Sequence, residues 1–189
     1  MDLATLEWLH KKFAMPIYTG LGNGFYLPKE FHVIEMDWWQ EIPYHELRIV
    51  HTPAQHGSGR GLRDQNKALW GGFSVLAKTG HCFFAGDTGY AGHFKQIHTR
   101  YGAPRVALLP IGAYEPRKLM SYVHMNPQDA VHAHLDLQAH RSLAIHYRTF
   151  QLTDEGREDP EHALAQAIKA SSKLANPFYC IREGHKLTV

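Results

Sequence analysis

The sequence predicts a mixed α/β (α+β) fold, and two observations predict it. Short runs of β-branched and aromatic residues separated by glycine-rich turns fill the first half, which is the pattern of antiparallel hairpins. Beyond Asp87 strand and helix patterns alternate, which is the pattern of strand-helix-strand units on a partly parallel sheet. A length of 189 residues at 44% hydrophobic and 20% charged suits one domain over 1–189, large enough to bury a core without disulfides or a structural metal.

Leu3, Leu6, Leu9 and Phe13 recur at three-to-four spacing, with Asp2 placed to cap the start and Lys11 and Lys12 near the end, so the chain opens with an amphipathic helix. Met15 to Tyr18 reads as a short strand. After the turn region Gly20 to Gly24, strands are expected over Phe31 to Met36 and Leu47 to Thr52, then a long Gly/Arg-rich loop from Ala54 to Asn66. Phe73 to Ala77 and Cys82 to Ala85 flank a turn at Thr79-Gly80 and form a hairpin, with Cys82 expected in the core. A helix carrying Phe94, Ile97 and Tyr101 on one face leads to a buried strand, Arg105 to Leu109. Asn126-Pro127 supplies an N-cap and a first-turn proline for a helix to about Ala139. Ser142 to His146 is a strand, Asp159-Pro160 opens a helix to about Lys173, and Phe178 to Ile181 is a last strand. The longest polar stretch, Thr153 to Asp159, reads as a surface loop.

Several function classes are disfavoured at this level. Twenty Lys+Arg against eighteen Asp+Glu leave a net charge of +2, which gives no nucleic-acid footprint by bulk charge and does not demand a membrane. Two cysteines make no framework of bridges, and Met1 to Ala4 begin no cationic-then-apolar leader, so a reducing, cytoplasmic setting is expected. No apolar run approaches the roughly 18 residues of a membrane span, which leaves peripheral association as the form of membrane contact to consider. No G-x-S-x-G elbow surrounds Ser58, so serine-hydrolase chemistry is not indicated.

The outlying count is histidine, 15 residues spread singly along the chain. His56, Asp87 and His146 each stand just past the C-terminal end of a predicted strand, the edge where sites assemble in open α/β sheets. Imidazole with carboxylate suits zinc or a similar divalent ion. His132-Ala133-His134-Leu135-Asp136 imitates a metal motif, but it falls mid-helix, where residues two apart face different ways, and a solvated helix face is the better reading. Gly57 to Gly61, with Arg60 and Arg63, either cradles a phosphate or is a loop turning beside that edge. Trp38-Trp39 and Phe25-Tyr26 either contact acyl chains or pack.

The blocks Thr52-Pro-Ala-Gln-His56, Asn66-Lys-Ala-Leu-Trp70, Phe84-Ala-Gly-Asp-Thr-Gly-Tyr90, Leu109-Pro-Ile-Gly-Ala-Tyr-Glu-Pro116 and Ala144-Ile-His146 resemble the metallo-β-lactamase-fold hydrolases. The branch most resembled is that of N-acyl-phosphatidylethanolamine-hydrolysing phospholipase D, over Met1 to about Leu152. The resemblance implies an αββα sandwich and a two-zinc site with His56 on one ion, Asp87 bridging and His146 on the other. It implies a metal-bound hydroxide attacking a phosphodiester or phospholipid-like substrate, with Asp87 and His124 in catalytic roles. Tyr90, Tyr114 and Glu115, which fall in or beside these blocks, are then expected to bind substrate or to pack, and Arg60 of the glycine-rich loop is the further candidate for binding it.

The chain departs from that pattern in one respect. An H-x-H-x-D-H motif, which supplies most of the family's ligands, is expected before the helix that here begins after Asp2 and is not found. The chain therefore resembles the C-terminal two-thirds of the sandwich and reads as truncated. Each ion would keep fewer protein ligands than the three usual at catalytic zinc. The alternative function is an inactive remnant or interaction module, forming homo-oligomers through the surface that truncation exposes.

Overall fold

The computed structural model describes residues 2–187. Helix α1 (Leu3–Phe13) starts where the Asp2 carboxylate accepts the Ala4 N–H at 3.1 Å, and it ends at Ala14, whose φ of 46° breaks the helical path. Its apolar stripe is not buried, and Trp8 is 57% exposed. Strands β1 (Ile17–Gly20) and β2 (Val33–Met36) form a small parallel sheet.

The larger sheet has seven strands in sequence order: β3 (Glu41–Tyr44), β4 (Leu47–Thr52), β5 (Gly72–Ala77), β6 (Gly80–Phe84), β7 (Val106–Pro110), β8 (Ser142–Ile145) and β9 (Phe178–Tyr179). Pairing is antiparallel from β3 to β6 and parallel from β6 to β9, the mixed sheet expected of hairpins followed by crossovers. Strand β3 was not foreseen, because Pro43 is a poor strand residue. It is tolerated at the sheet edge, where a missing N–H breaks no inner ladder.

Helices α2 (His93–Tyr101), α4 (Pro127–Leu137) and α5 (Asp159–Ala170) cover one face of this sheet; the one-turn helix α3 (Arg117–Met120) precedes α4. Phe83, Ala107 and Leu109 from the strands meet Phe94, Ile97, Val131, Leu137 and Leu164 from the helices, all with almost no exposure. Each large apolar side chain so buried stabilises the fold by about 1.5–3 kcal/mol. On the opposite face Val75, Leu108 and Leu143 are half-buried, Phe84 is 44% exposed and Cys82 is exposed. Cys82 is therefore not a core residue, because alternation along β6 turns His81 and Phe83 inward and Cys82 outward. The whole is an α/β sandwich with mixed sheets and flanking helices.

Helix α4 is fixed by a capping box: Asn126 accepts the Asp129 N–H and Asp129 accepts the Asn126 N–H, with Pro127 at the first turn. Among the described residues the side chains of its H-x-H-x-D segment are not grouped so as to hold an ion. His132 is solvated, as expected, but His134 is 2% exposed, with Nδ1 2.7 Å from Ser142 Oγ and its ring stacked on Phe178. The solvated reading thus fails at His134, which α4 turns onto the sheet.

Candidate active site

Because β4, β6, β7 and β8 all run the same way, the loops that leave them gather at one edge of the sheet. Three of those loops are stitched together by short bonds. Gln55 N–H donates to Thr88 Oγ1 at 2.9 Å, Gly89 N–H to the Gln55 carbonyl at 2.8 Å, and Met125 N–H to the Thr88 carbonyl at 2.9 Å. The Gln55 amide also reaches the Tyr122 carbonyl at 2.9 Å. These bonds bring His56, Asp87 and His124 to one place. Gly86, at φ 66°, supplies the left-handed turn that delivers Asp87.

His146 joins them from β8. Gly112 lies so close beneath it that a Cβ there would come within 2.3 Å of the His146 carbonyl. His146 Nε2 is 3.4 Å from Asp87 Oδ1, and the His124 ring stacks on His146 with centroids 5.4 Å apart. His56 meets His124 edge to face at 5.3 Å. Burial, and then the neighbouring His146, push His124 down to about 4, so its imidazole is neutral at pH 7.

The donor chemistry of this cluster fits a divalent ion. His56 Nδ1 is 2.7 Å from the Gly57 carbonyl, which can only accept, so Nδ1 is the donor there and Nε2 is the nitrogen left for an ion. That outer bond is how metal-binding imidazoles are usually held. The Nδ1 atoms of His124 and His146 are buried without a partner. Among the described residues, however, no three or more His, Cys, Asp or Glu side chains are grouped so as to hold an ion.

The remaining expected residues lie around this cluster, not in it. Tyr90 packs on Phe94 and donates to Asp136 of α4 at 2.6 Å; burial, then that bond, push its phenol up to about 12. Tyr114 is buried, and Glu115 accepts the Arg117 N–H at 2.9 Å. Arg60 lies over the Tyr26 ring at 5.0 Å in an exposed loop. The Arg60 and Gly61 N–H groups, the expected phosphate cradle, both donate to Asp64. Trp38 and Trp70 pack edge to face at 5.8 Å, with Trp38 Nε1 donating to the Trp70 carbonyl, so Trp38 has a packing role.

Glu155 was missed altogether. Its carboxylate accepts three successive backbone N–H groups, from Ala113 at 2.6 Å, Tyr114 at 3.3 Å and Glu115 at 3.0 Å, together with the Thr153 hydroxyl at 2.7 Å. A lone acid in a polar stretch some forty residues further along the chain carried no signal for this pairing.

A fold with one such histidine and carboxylate edge defines a class, and comparison gives the class its name. The family described as the beta-lactamase superfamily domain matches residues 3–147, and the chain belongs to it. The chain is 36% identical over 153 residues to N-acyl-phosphatidylethanolamine-hydrolyzing phospholipase D 1 of Caenorhabditis elegans, covering 78% of this chain and 43% of that protein. It is 38% identical over 174 residues to the mitochondrial N-acyl-phosphatidylethanolamine-hydrolyzing phospholipase D of Saccharomyces cerevisiae, covering 87% of this chain and 37% of that protein. The chain thus spans less than half the length of these relatives. Among solved structures, Igni18, a metallo hydrolase from Ignicoccus hospitalis, superposes with a TM-score of 0.69 at 21% identity, over 96% of this chain and 71% of that one.

Proposed function

We propose that this chain carries part of the active site of a zinc-dependent phosphodiesterase that acts on phospholipid-like substrates. The observation that carries the reading is the Asp87–His146 contact with His124 and His56 alongside, at the edge where β4, β6 and β8 end. Relatives named as phospholipases D support the phosphodiester class. His56, Asp87 and His146 would hold the ions, and further ligands would come from outside the described residues or from a second copy. When bound, such ions supply charge stabilisation at the phosphoryl oxygens and a water acidic enough to react near pH 7. Asp87, with its side chain 48% exposed, would orient such a water and accept its proton. His124, with its ring against both His56 and His146, would serve as a neutral imidazole that hydrogen-bonds the substrate's leaving oxygen. No helix among the described residues is long and apolar enough to cross a membrane, so a lipid substrate would be met from the surface.

The test is zinc per chain together with native mass, followed by hydrolysis of bis(p-nitrophenyl) phosphate and of N-acyl-phosphatidylethanolamine. About two tightly held zinc ions per chain with turnover of either substrate supports the reading, and neither zinc nor turnover overturns it. The open sheet face carrying Phe84 and Cys82 favours a second reading, a non-catalytic module that pairs through that face. A doubled native mass without zinc would select it.

A further inference from the structure

The Ala113–Glu115 turn is an anion nest. Ala113 has φ 60°, which tips its N–H and the next two toward one point, and convergent backbone N–H groups of this kind hold anions. The Glu155 carboxylate fills that point from the segment before α5. Burial would raise this carboxyl, but the bonds from Thr153, Glu115 and Ala113 outweigh it and hold the group below the usual carboxylate range.

The turn touches the histidine cluster at two places. Gly112, immediately before it, lies under His146, and Ile111 N–H donates to the Ile145 carbonyl at 3.1 Å. Immediately after it, Arg117 Nη1 donates to the His124 carbonyl at 2.8 Å, and Nη2 pairs with Asp129 at 2.6 Å. A cavity of about 300 Å³ opens between the turn and the Glu155 segment, lined by Ala113, His146, Phe150, Leu152, Glu155 and Arg157. Without the carboxylate, three N–H groups beside this cavity would lose their partners, and a buried donor left without one is unfavourable. The turn would then be free to rotate them toward water.

We infer that Glu155 is a positioning residue: its carboxylate occupies the Ala113–Glu115 nest and so fixes His146 through Gly112 and His124 through Arg117. The inference rests on reading the His56, Asp87, His124 and His146 cluster as the reactive site. It assigns to the Thr153–Asp159 stretch a role that a surface loop would not have.

The experiment is ¹H–¹⁵N NMR of the metal-free chain, wild type against Glu155→Ala and Glu155→Gln, with no zinc and no substrate, so that failure of the hydrolase reading leaves it interpretable. Glu155→Ala is expected to move the Ala113, Tyr114 and Glu115 amide protons upfield and to shift the His146 and His124 imidazole resonances. Added sodium acetate should return these signals toward wild type, and sodium chloride at equal ionic strength should not. Glu155→Gln, which keeps the volume with only one acceptor oxygen, should give a partial shift in the same direction.

Amide shifts confined to the turn, with both imidazoles unmoved, would overturn the positioning role. Acetate acting no better than chloride would overturn the nest. If Glu155→Ala does not fold, Glu155→Gln decides by the same imidazole signals, and unfolding of both would reduce Glu155 to a purely structural brace.

Discussion

Lowering the pH should destabilise the fold in a way that His134 makes measurable. His134 is buried against Ser142 and Phe178, and burial pushes it down from 6.5 to about 4. The unfolded chain, with an ordinary histidine, takes up the proton first as pH falls. The stability this group contributes is therefore fully present above about pH 6.5 and is lost as pH drops through the window from 6.5 to 4. With those two values the loss reaches about 2 kcal/mol at pH 5 and about 3 kcal/mol below pH 4. His93, buried beside Thr88 and also held at about 4 by burial, should add a loss of similar size. The assay is urea unfolding of wild type and His134→Asn at pH 7 and pH 5. An asparagine amide can take the place of Nδ1 toward Ser142 without titrating, so the variant should be the less stable protein at pH 7 through lost packing. The gap should then narrow by about 2 kcal/mol at pH 5. A gap that stays constant within about 0.5 kcal/mol would mean that His134 is not held neutral by its surroundings.

Other substitutions test the site and its supports. Asp87→Ala should abolish zinc retention and hydrolysis in the zinc-loaded protein, and unchanged zinc content by elemental analysis would remove Asp87 from the bridging role. Gly112→Ala forces a Cβ to within 2.3 Å of the His146 carbonyl and should cost about 1–3 kcal/mol in urea unfolding; a neutral result would show that the turn can slide away. Asn126→Ala removes the side-chain half of the α4 capping box and should cost about 1 kcal/mol, with no loss counting against the capping geometry.

Most of the fold was legible because its signals are local. Strand β4 and the starts of α1, α4 and α5 stand where hydrophobic period, caps and prolines place them. Strand β3 was illegible because pairing with β4, not propensity, makes it a strand around Pro43. The inward turn of His134 and the outward turn of Cys82 were misread for a related reason. Composition says what a residue prefers, whereas the phase of α4 and β6 against the core decides what it gets. That His56, Asp87 and His146 gather at one sheet edge could be expected, because each follows a strand whose direction the pattern implied. The bonds between the surrounding loops could not be picked out, because Gln55, Thr88 and Glu155 act through backbone groups of distant loops.

The division between these two sets has a physical consequence for how the site could be built. In the proposed site the His and Asp side chains would contribute the chemistry, but each sits on an irregular segment, and such segments hold a geometry only when their backbone groups are paired. Here the pairing is supplied crosswise: the loop after β4 is tied to the loop after β6 through Thr88, that loop to the Tyr122–Met125 segment, and the turn after β7 to the segment before α5 through Glu155. These ties run between backbone groups and the Thr88 and Glu155 side chains, not through the side chains of His56, Asp87 or His146. In a zinc-binding form of the protein, ties of this kind would reduce the ordering that binding would otherwise have to supply. If so, loosening a tie should weaken zinc binding without altering a ligand. Thr88→Val, which removes the hydroxyl that accepts the Gln55 N–H, should raise the zinc dissociation constant in a zinc-binding form of the protein while His56, Asp87 and His146 remain intact. An unchanged constant would show that the ion, and not the network, organises the edge.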